Sequence, residues 1–260
     1  MTALLDHLRE RLGEGRKLLV PYVMAGIPDE GSFPSVLTAV AEHADAVEVG
    51  LPFSDPLMDG PVIAAAGERA IRQGTGPLDA LDLAAGAGPG APRVAMTYYN
   101  PIHRLGEDEF CVRAERNGFT GLIVPDLPLE ESQSLRSAAG ERGLAWIPLV
   151  APTTPPDRVG RVVGSATGFV YAVSTLGVTG ARESLSERAA SVVGSIREET
   201  DLPVLVGIGV SNAEQARAAV SSADGVVIGS AVVRLVEGQG AAAAADFLAG
   251  VRRALDGVAA

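Results

Sequence analysis

Short runs of apolar and β-branched residues recur along the chain, each followed by a longer stretch whose apolar positions repeat at helical spacing. The runs fall at about 18–24 (LLVPYVM), 46–50 (AVEVG), 93–98 (RVAMTY), 121–125 (GLIVP), 145–150 (AWIPLV), 168–173 (GFVYAV), 203–208 (PVLVGI) and 224–228 (DGVVI). Their length and residue types predict strands. Between them lie amphipathic stretches such as SVLTAVAEHA, DEFCVRAERNG, RAASVVGSIREET and AAADFLAGVRRAL. Strands apolar on both faces that alternate with helices imply a parallel sheet covered by helices. Eight such units in about 250 residues predict an α/β fold, the closed (β/α)8 TIM barrel. The competing architecture is an open doubly wound sheet, but the Gly-x-Gly-x-x-Gly turn that would mark it does not follow the first strand. An extra N-terminal helix over about 2–13 is placed to cap the bottom of the barrel. A short extra helix at Ala231–Leu235 follows the eighth strand. The Gly/Ala/Pro-rich stretch AAGAGPGAPR (84–93) is short and falls in mid-pattern, so residues 1–260 read as a single barrel domain.

Composition then removes several chemistries. With 21 Lys+Arg against 32 Asp+Glu the formal charge is −11, which disfavours unspecific contact with nucleic acid or an anionic membrane. Cys111 is the only cysteine, so neither an intrachain disulfide nor a cysteine-rich zinc site can form. Lys17 is the only lysine, and it precedes the first strand, at the end of a parallel barrel opposite its active site. His7, His43 and His103 are scattered without ligand spacing, and no metal is expected. The opening MTALLDHLRERLGEGRK has no apolar leader core, and no run approaches the roughly 18 apolar residues of a membrane span. A cytoplasmic protein is expected.

The densest chemistry lies in AVEVGLPFSDPLMDGP (46–61). Side chains alternate along a strand, so Val47 and Val49 share one face and Glu48 the other. Valines suit the helix side, which turns Glu48 into the barrel near the carboxyl end of its strand. Apart from Arg93, no predicted strand segment contains Lys or Arg. An interior Glu48 thus lacks an obvious ion-pair partner and is a candidate acid/base tuned by desolvation. The loop that follows holds Asp55 and Asp59 among three prolines. One Asp suffices to cap a helix starting near Pro61, which frees the other, and spacing does not choose between them.

Glycines gather at the ends of the later strands: Gly177 and Gly180 after the sixth, Gly207 and Gly209 at the seventh, Gly229-Ser230 at the eighth. Barrels hold phosphate between the last two such loops and the amino end of a short helix, where N–H groups and the helix dipole meet the anion. Tyr171 alternates with Phe169 and reaches towards the mouth or the core. Tyr22, Tyr98 and Tyr99 line a pocket or pack, and Asp126 is a second candidate carboxylate. Trp146 and Cys111 read as structural, and His103 as a surface residue in a loop.

VEVGLPFSDPLMDGP closely resembles the signature of the tryptophan synthase alpha subunit family. VPDLPLEE (124–131), GFVYAVSTLGVTG (168–180), GIGVSN (207–212) and VVIGSA (226–231) resemble its later segments in the same order. The resemblance implies a (β/α)8 lyase that cleaves indole-3-glycerol phosphate to indole and glyceraldehyde 3-phosphate. Carried over by motif, Glu48 and Asp59 are its catalytic pair, and Tyr171 and Thr179 are substrate contacts; Tyr22, read as a pocket residue, is expected to join them. Gly180, Gly209, Gly229 and Ser230 hold phosphate, and Thr179 sits on a closing loop. The resemblance further implies no cofactor in this chain, a beta subunit carrying pyridoxal phosphate (PLP), an α2β2 heterotetramer, and the loops after strands 2 and 6 near that partner. Thr175-Leu176 depart from the Ser-Arg type pair of many relatives, and Ile27-Pro28 from the polar residue common there. The alternatives are a regulatory partner of a beta subunit with little activity of its own, and another phosphate-handling barrel enzyme.

Overall fold

The computed structural model, which describes residues 1–173, 185–207 and 209–257, places nine parallel strands in one sheet. They are β1 (Leu18–Met24), β2 (Val47–Gly50), β3 (Arg93–Met96), β4 (Phe119–Ile123), β5 (Ala145–Trp146), β6 (Leu149–Val150), β7 (Val170–Val173), β8 (Val204–Gly207) and β9 (Gly225–Ile228). Their order is β5-β4-β3-β2-β1-β9-β8-β7-β6. The two end strands are halves of the single run predicted at 145–150, divided at Ile147-Pro148. Proline has no N–H to give to a ladder, and the pairing changes sides there. Ile147 N donates to Leu122 O at 3.1 Å, while Tyr171 N donates to Pro148 O at 3.0 Å. The sheet therefore closes on itself as the predicted (β/α)8 barrel, with one of its eight strands split in two.

Alternation decides what fills the interior. Leu18 and Val20 of β1, Ala46 before β2, Val94 of β3, Leu205 of β8 and Val227 of β9 form a buried inner cluster. Leu4 and Leu8 of the helix Ala3–Gly13 join it, so this amphipathic helix plugs the bottom of the barrel. Thr2 starts the helix by accepting the Leu5 N–H at 3.4 Å. The opposite faces of the same strands, among them Leu19, Val23, Val47 and Val49, pack beneath the surrounding helices.

The cations that sequence reading singled out serve the scaffold. Lys17 Nζ donates to Ala223 O at 3.0 Å, below the start of β1. Arg93 turns away from the interior, and its guanidinium donates to Ala84 O, Ala87 O and Gly88 O. It thereby satisfies the carboxyl end of the helix Pro77–Ala85, and the glycine-rich 84–93 stretch is that helix's exit. At the bottom, Arg252 of the final helix Ala241–Asp256 donates to Asp45 Oδ2 at 2.9 Å, and the same oxygen accepts Leu19 N at 2.8 Å. Both side chains are buried, so the end of the chain is clasped to its first two strands. His103 lies exposed on a helix, Tyr99–Leu105, and not in a loop. The extra helix after β9 runs Ser230–Gln239, longer than predicted at both ends. Among the described residues no helix is long and apolar enough to cross a membrane.

Candidate active site

Glu48 points into the barrel, as the flanking valines require. It is 4% exposed, sits in register with Tyr22 of β1 and Val94 of β3, and has an oxygen, Oε2, without a hydrogen-bond partner. No cation lies against it among the described residues, so its charge has nothing to offset lost hydration. Burial, with a smaller contribution from the Asp59 charge, pushes its carboxyl up to about 8. At neutral pH it is a protonated acid.

The loop from β2 returns the second carboxylate to the same place. Leu51 N is tied to Met96 O at 2.9 Å, the chain runs out through an exposed turn, and the helix Pro61–Arg72 begins with proline in its first turn. Neither aspartate caps that helix. Its cap position is Gly60, without a side-chain bond, so the expectation that one Asp would serve there fails. Asp55 instead accepts the Ser54 hydroxyl locally at 2.6 Å and stays exposed. Asp59 turns inward, where burial raises its carboxyl to about 6 against the opposing effect of a hydrogen bond from the Tyr98 hydroxyl. Structure thus separates two residues that spacing leaves equivalent.

Glu48 and Asp59 line a chamber of about 150 Å³ at the carboxyl ends of the strands, walled by Ile63, Met96, Ile123, Leu149 and Val227. Tyr22 and Tyr171 enter it from β1 and β7, each over a glycine of a neighbouring strand. A Cβ on Gly50 would fall 1.8 Å from the Tyr22 hydroxyl, and one on Gly207 would fall 2.4 Å from the Tyr171 ring. The two phenols lie so close to the backbone that only glycine leaves them room. Burial first, and then the two carboxylates, keep both phenols protonated well above their usual range. A larger groove of about 680 Å³ lies outside the same loop, lined by Phe53, Pro77 and Arg104 among others, and holds neither carboxylate. Chemistry, not size, identifies the inner chamber.

The phosphate candidates are only partly covered. Gly229 lines the chamber and occupies the cap position of the helix Ser230–Gln239, so Ser230 opens a helix amino end beside the site. The first N–H groups of that helix have no acceptor within it. Gly209 lies exposed just past β8, and a Cβ built there meets nothing within 4 Å. Thr175, Leu176, Gly177, Thr179 and Gly180 lie outside the described residues. Asp126 is no part of the chamber: it is exposed and accepts Tyr99 N at 2.9 Å at the start of a helix. Tyr99 donates to Glu107 at 2.9 Å, while Cys111 and Trp146 pack in the core. Tyr98 is the residue that sequence reading undervalued, since nothing in its pattern reveals that it meets Asp59. Among the described residues no His, Cys, Asp and Glu cluster is of a size to hold a metal ion.

A closed barrel with two unequal carboxyls in one apolar chamber at the carboxyl ends of its strands has the form of a TIM-barrel enzyme. Comparison with known proteins narrows this. A family profile described as "Tryptophan synthase alpha chain" matches residues 8–254. The tryptophan synthase alpha chain of Carboxydothermus hydrogenoformans is 47% identical over 231 residues, 88% of this chain and 86% of that one. The one from Synechococcus elongatus is 44% identical over 260 residues, 98% of each. Mycobacterium tuberculosis tryptophan synthase superposes with a TM-score of 0.90 at 38% identity, covering 98% of both chains. The alpha subunit from Legionella pneumophila gives 0.89 at 29%, covering 99% of this chain and 100% of that one. The chain belongs to the tryptophan synthase alpha chain family. It is accordingly a lyase of tryptophan biosynthesis, and an alpha chain implies a beta subunit as its partner.

Proposed function

We infer that this chain cleaves indole-3-glycerol phosphate to indole and glyceraldehyde 3-phosphate, with Glu48 and Asp59 as its catalytic pair. The observation that supports this most directly is the split between two carboxyls in one chamber, near 8 and near 6, on either side of neutrality. Breaking the bond between indole C3 and the glycerol chain would otherwise expel a poor carbanion. Neutral Glu48 protonates C3, which makes the ring an electron sink. Ionised Asp59 accepts the indole N–H and offsets the positive charge that develops on the ring. Glu48, now a carboxylate, takes the proton of the adjacent hydroxyl. That oxygen becomes the aldehyde as the carbon–carbon bond breaks, and the bonding electrons restore the aromatic ring. Glu48 ends protonated, ready for another turnover.

Tyr22 and Tyr171 flank the indole, and Gly209, Gly229 and Ser230 present backbone N–H groups to the phosphate. Gly180 completes that cradle and Thr179 the closing loop, on the strength of the family motif. The scheme moves protons between carbon, oxygen and carboxyl groups alone, so the chain works without metal or cofactor, in the cytoplasm, and PLP belongs to the beta subunit of an α2β2 assembly. The single barrel domain is the catalytic unit. Purified protein incubated with indole-3-glycerol phosphate, with and without a beta subunit, should release indole, and a chelator should leave the rate unchanged. Absence of indole in both arms defeats the reading.

A further inference from the structure

The three phenols around the carboxyl pair are not equivalent. The Tyr22 hydroxyl has the Met24 sulfur as its partner, at 3.9 Å. No hydrogen bond joins Tyr22 or Tyr171 to either carboxylate among the described residues. Tyr98 differs in its partners. It follows β3 at the cap position of the helix Tyr99–Leu105, and its ring is buried. Thr97 N, just before it, is held by Ile123 O at 3.1 Å, and Tyr99 N, just after it, by Asp126. The ring stacks on Phe53 of the catalytic loop, with centroids 5.2 Å apart and planes at 27°. Its oxygen accepts the Met58 N–H at 3.0 Å.

That oxygen is where the loop is fastened. After Leu51 the chain carries Ser54, Asp55, Leu57 and Met58 into solvent, and Leu57 is 83% exposed. Among the described residues, the loop's hydrogen bonds back to the barrel between Pro52 and Asp59 converge on Tyr98 Oη. A phenol has two lone pairs and one proton. The Met58 N–H occupies a lone pair, which leaves the proton to be donated to Asp59.

The geometry points to Tyr98 as the positioning residue of the reaction: one phenol oxygen pins the loop at the Met58 N–H, one residue before Asp59, and turns its own proton towards the Asp59 carboxyl, which aims that side chain into the chamber. This inference rests on the catalytic role proposed for Asp59, although its central claim, control of Asp59 by Tyr98, is independent of turnover. A donor to a carboxylate stabilises the charged form, so the bond opposes the upward push that burial exerts on Asp59. Tyr98 acts on the substrate only through Asp59.

The test uses Tyr98→Phe, which keeps the ring on Phe53 and removes the oxygen. In protein labelled with carboxyl-13C aspartate, the Asp59 resonance is assigned by its loss in Asp59→Asn and followed through pH. The Asp59 midpoint in Tyr98→Phe should lie roughly one pH unit above that of the parent. With a beta subunit present, kcat should fall roughly twofold near pH 7 and roughly tenfold near pH 5 with KM little changed, because its acid limb moves by the same amount as the resonance. In an Asp59→Asn background the same substitution should cost nothing further. Fluorinated tyrosine at position 98, a stronger donor of unchanged shape, should move the midpoint the other way, which guards against a poorly folded Phe variant. An Asp59 midpoint indifferent to both changes at position 98, or an equal loss in the Asp59→Asn background, overturns the inference. A shifted resonance in a protein that releases no indole would keep it and reject the lyase reading instead.

Discussion

Replacing Glu48 by glutamine should make the protein gain heat resistance relative to the parent as pH rises, while it cuts activity. In the unfolded chain a glutamate titrates near 4.5, and inside the barrel Glu48 titrates near 8. Between those values the native state holds a proton that the unfolded state releases. Stability therefore falls as pH rises from about 4.5, and the loss levels off above about 8. At pH 7 the interval is 2.5 units at about 1.4 kcal/mol each, or about 3 kcal/mol carried by one side chain. Glutamine has nearly the same shape and no ionisable proton, so it escapes this term. Its amide arrives without an assured partner, which costs about 1–3 kcal/mol, but that cost does not vary with pH. The measurement is therefore the change in the gap between parent and variant. For a chain of this size the gap in Tm should widen by roughly 7–14 °C between about pH 5 and pH 8. Indole release should drop roughly 10²-fold or more. A Tm gap that stays constant with pH would show that Glu48 is not held protonated by its surroundings, and the acid step assigned to it would fail.

Three further outcomes follow from the same geometry. The reaction needs Asp59 ionised and Glu48 protonated, so kcat should rise with pH through about 6, fall through about 8, and peak near neutrality; a profile flat across that range refutes the pairing. Gly209→Asp adds a charge where a side chain meets nothing within 4 Å, so it should raise KM roughly tenfold or more by repelling phosphate while Tm stays put. Unchanged affinity would exclude Gly209 from the phosphate cradle. Asp45→Ala takes from the buried Arg252 the oxygen it bonds at 2.9 Å, leaving it the Asp256 carboxylate at 2.7 Å, and leaves Leu19 N without its acceptor, which should destabilise the fold by about 1–3 kcal/mol. Indole release by the remaining folded protein should be untouched, and a Tm equal to that of the parent contradicts the clasp.

Residue order discloses the barrel because its information is local. The alternation in AVEVG turns Glu48 inward because its valines pack beneath the helices, and the spacing of Leu4 and Leu8 makes the first helix a plug because both leucines belong in the core. AWIPLV reads as one strand because its apolar run is unbroken, and Pro148 is the one residue in it that a strand interior disfavours. The division at Pro148 depends on which neighbour each half meets, and that is set by closure of the whole sheet. The choice between Asp55 and Asp59 has the same character. Both lie in a proline-stiffened loop without periodicity, and what separates them is the Tyr98 oxygen, whose hold on the adjacent Met58 N–H spans 40 positions of sequence. The family motif selects Asp59, the aspartate that turns inward, but it carries no account of why. Arg93 shows the reverse error of emphasis: conspicuous as the only cation in a strand, it ends a helix on the outside of the barrel.

Gly50 and Gly207 act as moulds for the phenols opposite them, and a mould and its casting cannot be altered one at a time. Gly50→Ala alone drives a methyl into the Tyr22 hydroxyl, yet a smaller side chain at position 22 would vacate that volume. Across related chains, a substituent at 50 should therefore accompany a shortened residue at 22, and likewise for 207 with 171. Lineages would have to cross that gap in paired steps.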